Sequence, residues 1–303
     1  MRDQATTAER PIIDGLTPGR TEQQPVAIDA AYAFCARLAK SHYENFTVAS
    51  WLMPREMRKH MHAIYAYARI ADDFADEDRD LGKLQAWEDE LNLAYQGRPR
   101  HPVFVALADT VTRYDIPRQP FLDLLSAFRS DIDFGGFETL SDLLGYCANS
   151  ANPVGRLVLY LFGYRDSERQ ALSDKVCSGL QLANFWQDVA IDLSKHRVYL
   201  PRRDMVRFGV TADDLGRGAA TAQVVGLLKH EIAAARAMLI EGAALHRLVD
   251  NRLKRDILLF AGGGLAILRA IERVGCDVFR SRPKLTRLDY LKLGWDALRG
   301  TVV

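Results

Sequence analysis

With 303 residues, 48% hydrophobic and 26% charged, the chain is long enough to bury a large core in one domain or two. Its 40 basic and 39 acidic side chains are scattered and leave a formal net charge of +1, which removes the electrostatic case for a nucleic-acid partner. Cys35, Cys147, Cys177 and Cys276 are far apart with no C-x-x-C pair, so they read as inert buried thiols of a reduced, cytoplasmic protein, not a disulfide framework or a zinc site.

Residues 1–25 mix Gly, Pro, Gln and Thr without periodicity and read as a flexible leader, not a signal peptide. Residues 26–303 show no linker or composition shift and read as one domain. Ile28–Ser41 is an Ala-rich helix, and Pro54 suits the first position of a second helix that runs to about Glu77. Breaks are expected at Gly82, Gly97-Arg98-Pro99, Asp115-Ile116-Pro117 and Phe134-Gly135-Gly136. Leu140–Gly163 is helical with an irregularity at Asn152-Pro153, where proline lacks a donor and clashes with the preceding turn.

Asp166–Asp192, Ala219–Arg247 and Arg252–Val274 follow as long helices. The apolar run Ile257–Leu268 is too short to span a bilayer. Its Gly262-Gly263-Gly264 lacks a preceding strand and points to close helix packing or a local kink. Almost no stretch alternates with the period of a strand. The expectation is an all-α, single-domain helical bundle around a central cavity.

Two segments carry the chemistry. At about 100° per residue, Tyr65, Arg69, Asp72 and Asp76 share one helix face, and Gln181, Asn184, Asp188 and Asp192 share one face of another. The surrounding Ala, Ile, Leu, Val and aromatic residues turn both faces inward. Carboxylates gathered in a cleft repel and desolvate one another unless cations enter. Oxygen ligands of this kind suit Mg²⁺, which takes a few carboxylates plus substrate phosphate oxygens. Arg69 can hold a phosphate or orient the carboxylates, and Asn184 offers a neutral oxygen.

Asp73, Glu77 and Asp78 fall off the face and read as solvent-side charges, and Trp186 reads as core. Arg197 and Tyr199 form either a flap over a diphosphate or an exposed arginine beside a packed tyrosine. Among the aromatics near the first motif, Tyr65 is the one whose position suits a carbocation neighbour.

These segments resemble the squalene/phytoene synthase family of all-helical isoprenoid synthases. The likeness runs from about Tyr32 to Pro283 and includes the flanks Ala63-Ile64-Tyr65-Ala66-Tyr67 and Arg197-Val198-Tyr199-Leu200-Pro201. It also includes Tyr146-Cys147-Ala148-Asn149-Ser150-Ala151-Asn152-Pro153-Val154-Gly155, similar to the family's kinked mid-chain helix.

The resemblance implies Mg²⁺ at Asp72, Asp76, Asp188 and Asp192, with Asn184 and Gln181 lining the second site. Arg69, Arg197 and Tyr199 would contact phosphate, and His42 would sit near a diphosphate. Tyr65 and Phe46 would flank the reacting carbons, and Tyr146, Val154 and Gly155 would line the substrate at the kink.

Within the family the details resemble the hydroxysqualene synthases of bacterial hopanoid formation. Squalene and phytoene synthases usually place Arg and Glu where this chain has Gln187 and Ile191, and often a basic residue where it has Glu44. The relatives also tend to have an aromatic where this chain has Cys276. Such losses fit a site for one diphosphate in place of two. The expected reaction is Mg²⁺-dependent conversion of presqualene diphosphate and water to hydroxysqualene, with Asn184, Gln187 or Tyr146 holding the water and no NADPH. Two alternatives stay open: head-to-head condensation of two farnesyl diphosphates, or a non-catalytic assembly module. Contact with a membrane surface or with neighbouring pathway enzymes is also left open.

Overall fold

The computed structural model describes residues 26–41 and 53–301, so the leader, His42 and Phe46 lie outside the described residues. Every described element is helical. Helix α1 spans Ile28–Ser41, α2 Arg55–Asp76, α3 Leu81–Tyr95, α4 Pro102–Tyr114 and α5 Gln119–Ile132. Then come α6 Leu140–Ser150, α7 Asn152–Leu161, α8 Ser167–Ser194, α9 Arg202–Phe208 and α10 Ala212–Gly216. The last are α11 Ala222–Gly242, a 3₁₀ turn Ala243–Arg247, α12 Asn251–Arg273 and α13 Arg287–Arg299.

The boundaries follow local chemistry. Pro54 is the residue just before α2, in an extended conformation with φ −50° and ψ 141°. Thr139, Thr221 and Thr286 cap α6, α11 and α13, the first and last through reciprocal bonds with Asp142 and Asp289. The expected irregularity at Asn152-Pro153 is the break between α6 and α7, with Pro153 in the first turn, where its missing N–H costs nothing.

One expected break is corrected. Gly82 lies in the first turn of α3, because the Asp80 carboxylate accepts from the Gly82 and Lys83 amides and starts the helix there. The short α9 and α10 and the final α13 have no counterpart in the sequence reading.

Two large cores flank α2 and α8. The first packs Tyr67, Phe74, Trp87, Phe104 and Phe121, all buried, with the Tyr67 hydroxyl donating to the Phe121 carbonyl at 2.9 Å. The second gathers Leu182, Trp186, Leu227, Leu239 and Leu268 from α8, α11 and α12. Glycines set the spacing between these helices. A Cβ at Gly242 would stand 2.7 Å from the Val176 amide nitrogen, and one at Gly264 would stand 2.8 Å from Leu239 Cδ1. Gly262 and Gly264 are therefore close-packing positions inside an unbroken α12, whereas Gly263 between them faces open space. The acidic face of α2 extends from the first core and that of α8 from the second, so the two motifs meet where the cores adjoin.

Candidate active site

Residues four apart return to the same side of a helix, so α2 and α8 each present two carboxylates along one wall. Burial, and then the charge of Asp76, push Asp72 up to about 7. Burial, and then Asp188, do the same to Asp192, also to about 7, and Asp76 across the cleft adds to the effect. The two walls thus feel each other's charge.

A fifth carboxylate, Asp131 at the end of α5, joins the group. Burial pushes it up to about 6, and it accepts a hydrogen bond from the Tyr146 hydroxyl at 3.0 Å. Sequence reasoning missed Asp131 because a lone aspartate at a helix end carries no spacing signal.

Arginines clasp both walls. The residue His196, at φ 59°, turns the chain after α8, and the Arg197 amide donates back to the Asp192 carbonyl at 2.8 Å. That turn carries the Arg197 guanidinium across to Asp76, with Nη2–Oδ1 at 2.7 Å and Nη1–Oδ2 at 3.5 Å. Lys195 Nζ reaches the same carboxylate at 3.9 Å. On the other wall Arg282, from the segment before α13, forks Asp188 with Nε–Oδ1 at 2.5 Å and Nη2–Oδ2 at 3.0 Å. Arg282 was also missed: it lies 94 residues from Asp188, beyond any helical spacing.

The other expected residues divide. Asn184 Nδ2 donates to Asp188 Oδ2 at 2.6 Å, which holds the amide on the second wall, and half-buried Gln181 precedes it on the same face. Tyr65 is buried in α2, one turn before Arg69. Arg69 approaches Asp72 at 3.4 Å but Asp73 at 2.7 Å, so Asp73 is a partly buried partner of that arginine and not a solvent-side charge. Glu77 is exposed, as expected.

Gln187, one of the three residues offered for holding the water, is hydrogen-bonded within the protein. Its Nε2 donates to the Pro283 carbonyl at 2.5 Å and its oxygen accepts from Arg282 at 3.2 Å, so it anchors the Arg282 segment. Gly155 packs against Ser173 and Cys177 of α8, one turn before Gln181, and Val154 packs on the first core. Trp186 is fully buried.

Tyr199 is buried and stacks on Phe185 with centroids 3.8 Å apart and planes at 10°. Phe134, Phe137 and Tyr146 close around it at 4.9, 6.1 and 6.3 Å. A small cavity of about 10 Å³, room for about one water, lies here beside Asp192, Arg197 and Tyr199. Aromatic faces therefore lie next to the acidic walls, where a cation would find their negative quadrupoles.

The donors fit a divalent ion in a specific way. They are carboxylate and amide oxygens, and burial with mutual repulsion raises two of the carboxyls, Asp72 and Asp192, to about 7. Among the described residues no three His, Cys, Asp or Glu side chains converge on one point. An ion held here would take only a few of these oxygens and would need water or phosphate to complete its shell, as Mg²⁺ allows.

The sequence matches the squalene/phytoene synthase family over residues 39–289. The chain belongs to that family. It is 34% identical over 265 residues to a hydroxysqualene synthase of Sinorhizobium fredii, covering 84% of this chain and 88% of the relative. It is 33% identical over 223 residues to a phytoene synthase of Thermus thermophilus, covering 73% and 77%.

The fold matches the crystal structure of squalene synthase HpnC from Alicyclobacillus acidocaldarius with a TM-score of 0.79 at 43% identity, over 84% of this chain and 97% of that one. It matches a dehydrosqualene synthase crystallised with ligand at TM-score 0.83 and 27% identity, over 90% and 96%. The squalene/phytoene synthase fold is the isoprenoid-synthase helical fold, and members of the family are prenyl-diphosphate-utilising synthases. Among the described residues no helix is long and apolar enough to cross a membrane.

Proposed function

We propose that this family member converts presqualene diphosphate and water to hydroxysqualene and diphosphate. The observation that carries the reading is the cation inventory of the second wall. The position before Asp188 is the neutral Gln187, spent on holding Pro283 and Arg282, which leaves one arginine on that wall. Among the described residues Arg197 and Arg69 serve the first wall and Arg282 alone the second, an inventory that suits one diphosphate better than two. Likeness to a hydroxysqualene synthase and to squalene synthase HpnC supports the same reading.

Bound Mg²⁺ would be held by Asp72, Asp76, Asp188, Asp192 and the Asn184 oxygen, and would supply Lewis-acid stabilisation of the departing diphosphate. Arg197 and Arg282 release their aspartates to grip phosphate oxygens. The C–O bond breaks with its electron pair leaving on diphosphate, and no protein acid is required. Tyr199, Phe185 and Tyr65 present apolar and π surface to the carbocation, which rearranges to an allylic cation. Water adds its oxygen to that carbon and gives up one proton. Tyr146 accepts from the water while its own hydroxyl hydrogen passes to Asp131, whose raised affinity for a proton suits it as the acceptor.

The test is product mass after incubation with Mg²⁺ and presqualene diphosphate in ¹⁸O-water, and separately with farnesyl diphosphate. Labelled hydroxysqualene from the first substrate alone supports the assignment. Conversion of farnesyl diphosphate to presqualene diphosphate, squalene or dehydrosqualene assigns the condensation instead. No diphosphate release from either points to a non-catalytic member.

A further inference from the structure

Exposed large apolar side chains are isolated over most of the described surface, but Leu288, Tyr290, Leu291 and Trp295 all lie on α13, each at least 59% exposed. Leu288, Leu291 and Trp295 are three and seven apart and share one face. The opposite face is anchored. A Cβ at Gly262 of α12 would stand 3.0 Å from Leu293 Cδ2, and Arg273 forks Asp289 at 3.0 and 2.8 Å. The exposed apolar face is thus held outward by a helix that is itself fixed.

Basic side chains flank this face: Arg287, Lys292 and Arg299 are all exposed, and the Arg299 guanidinium lies 5.3 Å from the centre of the Trp295 ring. From residue 280 onward the chain has six basic and two acidic residues, in a protein whose formal net charge is +1. The two acids, Asp289 and Asp296, lie four before and three after Leu293, on the side turned to α12. A helix of 13 residues is about 20 Å long, and a face ~10 Å wide offers roughly 200 Å². That is well below the roughly 800 Å² per partner of a stable protein interface. Apolar residues with an interfacial tryptophan and a basic rim instead match the boundary of an anionic lipid leaflet.

We propose that the outward face of α13 docks on an anionic phospholipid bilayer, seating Leu288, Leu291 and Trp295 at the headgroup–acyl boundary with Arg287, Lys292 and Arg299 on lipid phosphates. Arg282 is five residues before this helix, so docking brings the segment over Asp188 close to the bilayer, a short path for an apolar substrate or product. Lipid binding itself does not depend on the reaction assigned above.

The full chain is sedimented with vesicles of equal parts phosphatidylglycerol and phosphatidylcholine, and with phosphatidylcholine alone. Salt-sensitive binding to the mixed vesicles is expected, with weak binding to the neutral ones. Leu291→Ser with Trp295→Ser should weaken it at least tenfold, with unchanged helix content by circular dichroism. Arg287→Gln, Lys292→Gln and Arg299→Gln together should weaken it about 100-fold on mixed vesicles, from about fivefold per basic residue. No binding by the natural chain, or equal binding by both variants, overturns the proposal. So does a concentration-dependent dimer in sedimentation velocity that the serine variant abolishes, which would assign the face to a second copy.

Discussion

Arg282 occupies both oxygens of Asp188, so it competes with any cation for that carboxylate. Replacing Arg282 by Gln keeps a polar side chain but removes the charged fork. The pair is part-exposed, with 39% of the arginine and 16% of the aspartate side chain accessible, so solvent screening reduces the interaction to about 1 kcal/mol. A divalent ion must displace that interaction, and about 1 kcal/mol is roughly a factor of five. The substrate-free R282Q enzyme should therefore bind Mn²⁺, followed by electron paramagnetic resonance, about fivefold more tightly than the natural enzyme. With Mg²⁺ present, the same variant should bind inorganic diphosphate several-fold more weakly in calorimetry, because the guanidinium then serves the phosphate. The opposite signs are the signature. Metal affinity that is unchanged or weaker in the variant would refute the view that this arginine and a cation share Asp188.

Asp188→Asn should lower turnover by two or more orders of magnitude with an unchanged thermal transition, whereas Glu77→Gln, on an exposed side chain, should leave it within twofold; diphosphate release measures both. Glu231, fully buried in α11, is pushed from 4.5 up to about 8 by burial and then by Asp204. Across that window the folded state holds a proton that the unfolded chain has released, so stability falls as pH rises. At about 1.4 kcal/mol per pH unit the loss is on the order of 5 kcal/mol. Glu231→Gln should raise Tm by about 8 °C at pH 9 and little at pH 5, and equal shifts at the two pH values would count against it. Gly242→Ala pushes a methyl onto the α8 backbone and should cost about 2 kcal/mol. Gly263→Ala meets nothing within 4 Å and should gain about 0.5–1 kcal/mol in thermal denaturation.

Helix spacing made Asp72 with Asp76, and Asp188 with Asp192, legible as paired carboxylates, because a period of 3.6 residues is a local property of the backbone. Apolar flanks, proline at Asn152-Pro153 and cap residues such as Thr139 and Asp166 likewise act within a few residues of where they stand, so most long helices could be read in advance. What lies across the cleft is different in kind. Arg282 on Asp188, Arg197 on Asp76, Tyr146 on Asp131 and Phe185 under Tyr199 are contacts between helices, and no periodicity encodes them. Gln187 shows the limit most plainly: its position in α8 was readable, but its service to Pro283 depends on where a segment nearly 100 residues later comes to rest. Local sequence fixed which faces are acidic and which are apolar. Only packing decided which cations and aromatic rings those faces would meet, because that depends on glycine-set helix spacing and on burial summed over the whole core.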